Sequence, residues 1–204
     1  NEGVLGLGLV GGIHCHINHL KGLMDVAKEN NVDNVFLHAF TDGRDCDPKS
    51  GAFFINDMQE YMQQTTGELA TITGRYYAMD RDKRWHRVKL AYDAIVHGNG
   101  KTTENPVQAI AESYEENVTD EFINPIVVHE DGSPVATIQD GDVVMFFNFR
   151  TDRGRQLTVA LSQQDFPEHD MKTLDLEYYT MTRYDDTFKN INVIYSKENI
   201  DNTL

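Results

Sequence analysis

The chain has 204 residues, 40% hydrophobic and 25% charged, which suits one large domain with a core of its own, or two small ones. Its formal net charge of −15 argues against nucleic acid or an anionic membrane surface as the main partner, although a local arginine cluster could still hold a small anion. No apolar run approaches the roughly 20 residues of a membrane span, Asn1 opens no signal-peptide pattern, and two cysteines, Cys15 and Cys46, are too few for a secreted disulfide scaffold, so a reducing compartment is expected.

In chain order, Val4–Val10 reads as a Gly-rich buried strand, followed by a turn at Gly11-Gly12-Ile13-His14-Cys15-His16. Ile17, Leu20, Met24 and Ala27 give one apolar face to a helix over Ile17–Asn30. A second strand, Val35–Phe40, leads into the polar loop Thr41–Ser50 and a helix over Phe53–Gln64. A third strand, Leu69–Thr73, leads into a cation-rich loop, Gly74–Trp85, and a helix over Arg84–His97. Strand, loop and helix three times over imply right-handed crossovers and a parallel sheet, with the three loops side by side at its carboxyl edge. Asn105-Pro106 starts a helix to about Glu116. Strands are expected at Phe122–His129 and Val135–Ile138 about a hairpin-like turn, at Val143–Phe149, at Leu176–Tyr184 and at Asn192–Tyr195, with a helix from Arg155 to about Ser162. The expected fold is an α/β three-layer sandwich, a mostly parallel central sheet flanked by helices. It forms one domain over 1–204, with residues 100–140 as a small β elaboration. The strand-like opening without an initiating Met predicts a piece of something longer.

Three loops carry the candidate chemistry. His14-Cys15-His16 offers imidazoles, either to an anion after a Gly-Gly turn or to a metal, with His16 and His19 read as structural or exposed. In Asp42-Gly43-Arg44-Asp45, Arg44 can hold an anion and a neighbouring cation would keep Asp45 ionised for general-base work; equally, Asp45 could merely orient Arg44. Arg75, Arg81, Arg150 and Arg153 add guanidinium forks suited to phosphate and carboxylate, and Arg150 and Arg153 are spaced to face one point. That is more positive charge than one carboxylate needs, and it fits a small ligand with both a phosphate and a carboxylate. No nucleophile and no adequate metal cluster accompany it, so the loops look like half of an active site. Two other readings remain: a metal-dependent hydrolase using His14 and His16, and a non-catalytic anion-binding module.

Gly11–Leu20, Asp42–Asp45, the long run Thr73–Trp85 (Thr-Gly-Arg-Tyr-Tyr-Ala-Met-Asp-Arg-Asp-Lys-Arg-Trp), Thr119-Asp-Glu-Phe122 and Phe146–Arg153 resemble, in order, segments of the cofactor-independent (2,3-bisphosphoglycerate-independent) phosphoglycerate mutases. The likeness runs along essentially the whole chain, and the Thr73–Trp85 motif is the specific part. It implies the inserted phosphotransferase, substrate-binding domain of an isomerase of glycolysis and gluconeogenesis that interconverts 2- and 3-phosphoglycerate. By resemblance, Arg44, Arg75, Arg81, Arg150 and Arg153 hold the phosphoglycerate, His14 contacts it, and Asp45 is the catalytic group that handles the glycerate hydroxyl proton. The resemblance places the phosphoserine and two Mn2+ ions on a phosphatase-like domain of the same polypeptide, absent here, with no metal ligand in this chain. It also implies a cytoplasmic monomer, inactive in isolation, without nucleic-acid or membrane partners. Three positions depart from the family pattern. Val10 precedes Gly11 where Ser-Asp is usual, and Thr151 and Gly154 stand for the commoner Pro and Ala.

Overall fold

The computed structural model describes residues 4–5, 14–32 and 34–196. The first strand, β1, is Val4–Leu5; the rest of the strand expected over Val4–Val10, and Gly11-Gly12-Ile13, lie outside the described residues. Helix α1, Ile17–Glu29, starts at His16, whose imidazole accepts a hydrogen bond from the Asn18 amide (3.2 Å), and it buries Ile17, Leu20 and Met24 as its spacing predicts. Strand β2 is Phe36–Thr41, helix α2 is Gly51–Gln64 and strand β3 is Glu68–Gly74. The cation-rich segment is not loop throughout: one helical turn, α3 (Arg75–Ala78), precedes helix α4 (Trp85–Tyr92), which widens into a π-turn at Asp93–His97. Strand β4 (Lys101–Thr103) and helix α5 (Pro106–Glu115) follow, the latter capped by Asn105 with Pro106 in its first turn.

Strand β5 is Ile126–Glu130 and β6 only Ser133–Pro134. Val135–Ile138, expected as a strand, forms none. Its ends are held separately, the Val135 amide by the Val128 carbonyl and the Ile138 amide by the Ile95 carbonyl, 2.9 Å each. Strand β7 (Val143–Phe146), helix α6 (Arg155–Ser162), strand β8 (Glu177–Thr182) and strand β9 (Ile191–Tyr195) complete the order.

The fold is α/β as expected, but the larger sheet is mixed. Its order is β1-β2-β3-β5-β4, with β6 hung on β5; β5 runs antiparallel to β3 and parallel to β4. The second sheet, β7-β8-β9, is parallel throughout, and β7 lies alongside β1. The helices pack in two groups, α1, α2 and α5 together and α4 against α6. Phe40 of β2 meets Phe146 of β7 edge-on at 6.0 Å, and Tyr184 meets Phe146 edge-on at 5.7 Å, so one core spans both sheets. Helices over both faces of parallel ladders leave the strand ends as the place where polar loops can gather.

Candidate active site

Five segments meet at the carboxyl ends of β2, β3 and β7. The His14 carbonyl accepts from the amides of Phe149 (2.9 Å) and Arg150 (3.4 Å), which ties the segment after β1 to the segment after β7. Beyond β2, Asp42 turns the chain on itself: its Oδ1 accepts from the amides of Arg44 and Asp45, both at 3.3 Å, around Gly43 at φ +65°. The turn at Asp120–Phe122 lies directly on Gly43 and Gly74. A Cβ at either would fall 2.7 or 2.5 Å from Glu121 backbone atoms, so neither position has room for a side chain. Asp120 fixes that turn. Its carboxylate accepts from the Gly51 amide (2.8 Å) and the Tyr114 hydroxyl, its carbonyl accepts from Thr41 Oγ1 (2.7 Å), and its amide donates to Pro48 (2.9 Å). The consequence is positional: Glu121 and Phe122 are delivered beside Arg44 and Tyr76.

The deepest part of the site is centred on Arg75. Helix α3 turns its side chain inward, where it is 2% exposed. It donates to Asp42, to Asp45 Oδ2 (2.6 Å) and to His14 Nε2 (3.3 Å). Asp45 therefore pairs with Arg75 and not with its chain neighbour Arg44, which instead reaches Glu121 at 3.3 Å. The cation that holds the Asp45 carboxyl below the usual carboxylate range is Arg75, chiefly through this hydrogen bond. His14 is pushed down to about 4, by burial first and then by the charges of Arg75 and Arg150, so it is a neutral imidazole at pH 7. Accepting from Arg75 at Nε2 leaves the proton on Nδ1, a buried atom without a hydrogen-bond partner among the described residues.

Above this cluster opens a cavity of about 330 Å³, large enough for a small organic anion, lined by Arg44, Arg75, Arg81, Arg84, Arg87 and Arg153. Arg81 reaches Asp152 at 3.4 Å, and Arg84 is held by Asp80 (3.0 Å) and Asp82 (2.6 Å). Arg153 is different. It is half-buried, donates to the Met79 carbonyl at 3.0 Å, and has no carboxylate partner among the described residues. Burial, and then the charges of Arg75 and Arg81, push its guanidinium below the usual arginine value. Arg150 does not line the cavity; it grips Asp152 at 2.8 and 3.2 Å and is linked to Arg81 only through that carboxylate. So Arg44, Arg75, Arg81 and Arg153 share one hollow, His14 and Asp45 lie at its base through Arg75, and Arg150 stands to one side. Arg155 points away and donates to the Tyr184 carbonyl at 2.6 Å. At Gly154, one of the family departures, a Cβ would meet the Tyr184 ring at 2.5 Å, so the bulk of Tyr184 accounts for the missing methyl.

Tyr76, Arg87, Glu121 and Phe122 also line the cavity and were not singled out from the sequence. Thr119–Phe122 belonged to a recognisable motif, but nothing local says that it lands 77 positions away against Arg44. His16 is spent on capping α1, and His38 is buried against Thr71 Oγ1 at 2.9 Å. Among the described residues no three histidine, cysteine or acidic side chains are placed to hold a metal ion, and Cys15 and Cys46 are not joined by a disulfide.

A profile of the family described as "BPG-independent PGAM N-terminus" matches residues 3–186. The chain is 59% identical to the 2,3-bisphosphoglycerate-independent phosphoglycerate mutase of Flavobacterium johnsoniae, over all of this chain and 41% of that protein. It is 53% identical to the enzyme of the same name from Parabacteroides distasonis, again over all of this chain and 41% of the relative. The fold is similar to that of Leishmania mexicana phosphoglycerate mutase, crystallised at low cobalt concentration, with a TM-score of 0.84 and 29% identity over 90% of this chain and 36% of that one. The chain thus spans about two-fifths of the length of the curated relatives it matches. On the strength of the profile match and these identities, the chain belongs to the family of N-terminal segments of BPG-independent phosphoglycerate mutases.

Proposed function

We propose that this chain is the substrate-binding, phosphotransferase domain of a mutase that interconverts 2- and 3-phosphoglycerate. The observation that carries the reading is Arg153, a half-buried guanidinium without a carboxylate partner among the described residues, close to Arg44, Arg75 and Arg81. A half-buried cation left without a carboxylate beside ion-paired arginines is arranged for an anion that arrives from outside. A cavity whose six arginines outnumber its three carboxylates, Asp80, Asp82 and Glu121, suits a three-carbon acid bearing two anionic groups better than a single phosphate. In this reading the serine that carries the phosphate, and two manganese ions, belong to the remainder of the polypeptide, where the metals supply positive charge to the transferring phosphoryl. The domain covers 1–204, with 100–140 as an elaboration, in a cytoplasmic enzyme that works as a monomer.

The chemistry left to this chain is retention and reorientation. After the phosphate leaves, the glycerate must stay bound while its other hydroxyl swings into place, because escape would turn the reaction into hydrolysis. Arg44, Arg81 and Arg153 clamp the anionic ends, with Arg150 holding Asp152 at the rim. Asp45, kept ionised by Arg75, accepts the proton of the free hydroxyl, and neutral His14 adds no charge that would compete with Arg75 for it.

The test is calorimetric titration of the chain with 3-phosphoglycerate and with inorganic phosphate. Preference for the bifunctional ligand is expected, and Arg153→Gln should weaken it by about tenfold or more, the scale of one lost charge-assisted contact. Equal affinity for the two ligands would point instead to a general anion-binding module. Mutase turnover by the pure chain alone, or a stoichiometric tightly held metal, would overturn the reading as well.

A further inference from the structure

Two of the six cavity arginines lack a carboxylate partner among the described residues: Arg153 and Arg87. Arg87 is the third residue of α4, half-buried on the cavity wall. Its guanidinium carbon sits 3.8 Å over the centre of the Tyr76 ring. That ring is itself wedged against Tyr77 and Phe122, each at 5.1 Å between centroids. A guanidinium stacked in this way has its face satisfied and its in-plane N–H donors free, and little side-chain freedom is left to lose on binding. One turn back on the same face, Arg84 shows the contrast: it is consumed by Asp80 and Asp82. If Arg87 only needed neutralising, acidic Asp82 lines the same cavity, yet it pairs with Arg84 alone.

We propose that Arg87, carried on Tyr76, is a second anion-binding residue of the cavity. It meets one charged group of the ligand while Arg153 meets the other. This rests on the phosphoglycerate reading above and extends it, because it makes the choice of a two-headed ligand depend on a named pair of arginines. Arg153 belongs to the segment after β7 and Arg87 to α4, so the ligand spans two separately anchored elements.

The test compares the wild-type chain with Arg87→Met, which keeps the aliphatic contact with Tyr76, and Arg87→Lys, which keeps the charge but not the fork. Each is titrated with 3-phosphoglycerate, glycerate and inorganic phosphate, with thermal melting to check that the fold persists. Arg87→Met should weaken phosphoglycerate about five- to tenfold, the scale of a half-exposed charged contact. It should also weaken one of the two single-group ligands and spare the other, with Arg153→Gln showing the opposite selectivity and Arg87→Lys falling between wild type and Arg87→Met. Equal weakening of all three ligands, or none, overturns the role of Arg87 while leaving the phosphoglycerate reading intact. A wild-type chain that does not prefer phosphoglycerate over phosphate overturns both.

Discussion

Strand β3 has a cavity at each end, and they are opposites. At its start, a hollow of about 450 Å³ is bordered by Glu68, Glu104, Glu130 and Asp131, with no lysine or arginine in its wall. At its finish lies the smaller hollow of about 330 Å³ with six arginines. The larger one carries no argument for a ligand, because its carboxylates are exposed and water already solvates them. In the smaller one, Arg75 is buried and Arg153 is half-buried, and only the first has carboxylate partners among the described residues, since Arg153 donates to the Met79 carbonyl alone. Volume is therefore a poor guide here. What marks the site is charge removed from water and left without a counter-ion, in a protein whose net charge is strongly negative.

The comparison breaks most visibly if Arg75 can be removed cheaply. Replacing it by Met leaves the 4%-exposed Asp42 as a buried carboxylate facing hydrocarbon. Breaking a buried ion pair from one side costs about 3 to 5 kcal/mol. The urea midpoint of Arg75→Met should fall accordingly, with Asp42→Asn in the same background recovering part of the loss. Glu104→Gln at the other end should leave the midpoint unchanged. An Arg75→Met chain as stable as wild type would mean that the charged cluster contributes nothing to the fold.

How much of this could be read in the residues follows the range of the contacts. The convergence of Arg44, Arg75, Arg81 and Arg153 was legible, because repeated strand-loop-helix units place successive loops on one edge and the arginines sit in those loops. The division of labour among them was not. Gly74–Trp85 reads as a loop, but one turn of helix at Arg75–Ala78 sends Arg75 inward while Arg81 and Arg84 stay at the cavity. Asp45 looked like a partner for Arg44 because they are adjacent, yet adjacent side chains on a turn diverge, and the real partners lie 30 and 77 positions away. The mixed sheet was missed for a similar reason. Strand β4 has three residues, too few to display a period, and the insertion of antiparallel β5 beside β3 is a choice made by tertiary packing. Val135–Ile138 has the β-branched residues of a strand, but only its first amide reaches β5, at Val128, while the last is taken by Ile95, so no ladder forms.

A smaller effect concerns two buried histidines on β2 and at its neighbouring loop. Burial holds His38 down at about 3 and His14 at about 4, against 6.5 in an unfolded chain. Between those values the unfolded state binds protons that the folded state refuses, so stability should fall as pH drops from about 6.5 toward 4. The depressed Asp45 acts in the same direction at still lower pH, since its contribution is lost as it is protonated. His38→Gln, which can keep the hydrogen bond to Thr71, removes one of these protons and should flatten the slope by up to about 1.4 kcal/mol per pH unit. Urea midpoints measured at pH 7 and pH 5 would show it; an unchanged slope would mean that His38 charges freely in the folded chain.

The smallest effect asks whether the two cavities sense each other at all. Strand β3 has seven residues, so its ends are roughly 20 Å apart at the usual rise of a strand. The screening length is about 8 Å at physiological ionic strength and about 30 Å at 0.01 M. Glu130→Gln removes one exposed negative charge from the acidic hollow. At physiological salt the affinity for 3-phosphoglycerate should therefore stay within about twofold of wild type, and stability within about 0.5 kcal/mol. At 0.01 M salt a slight tightening should emerge, because the field of the lost carboxylate then reaches the arginines. A large change at physiological salt would mean that the acidic hollow acts on the anion through packing along β3, and the separation drawn between the two ends would have to be given up.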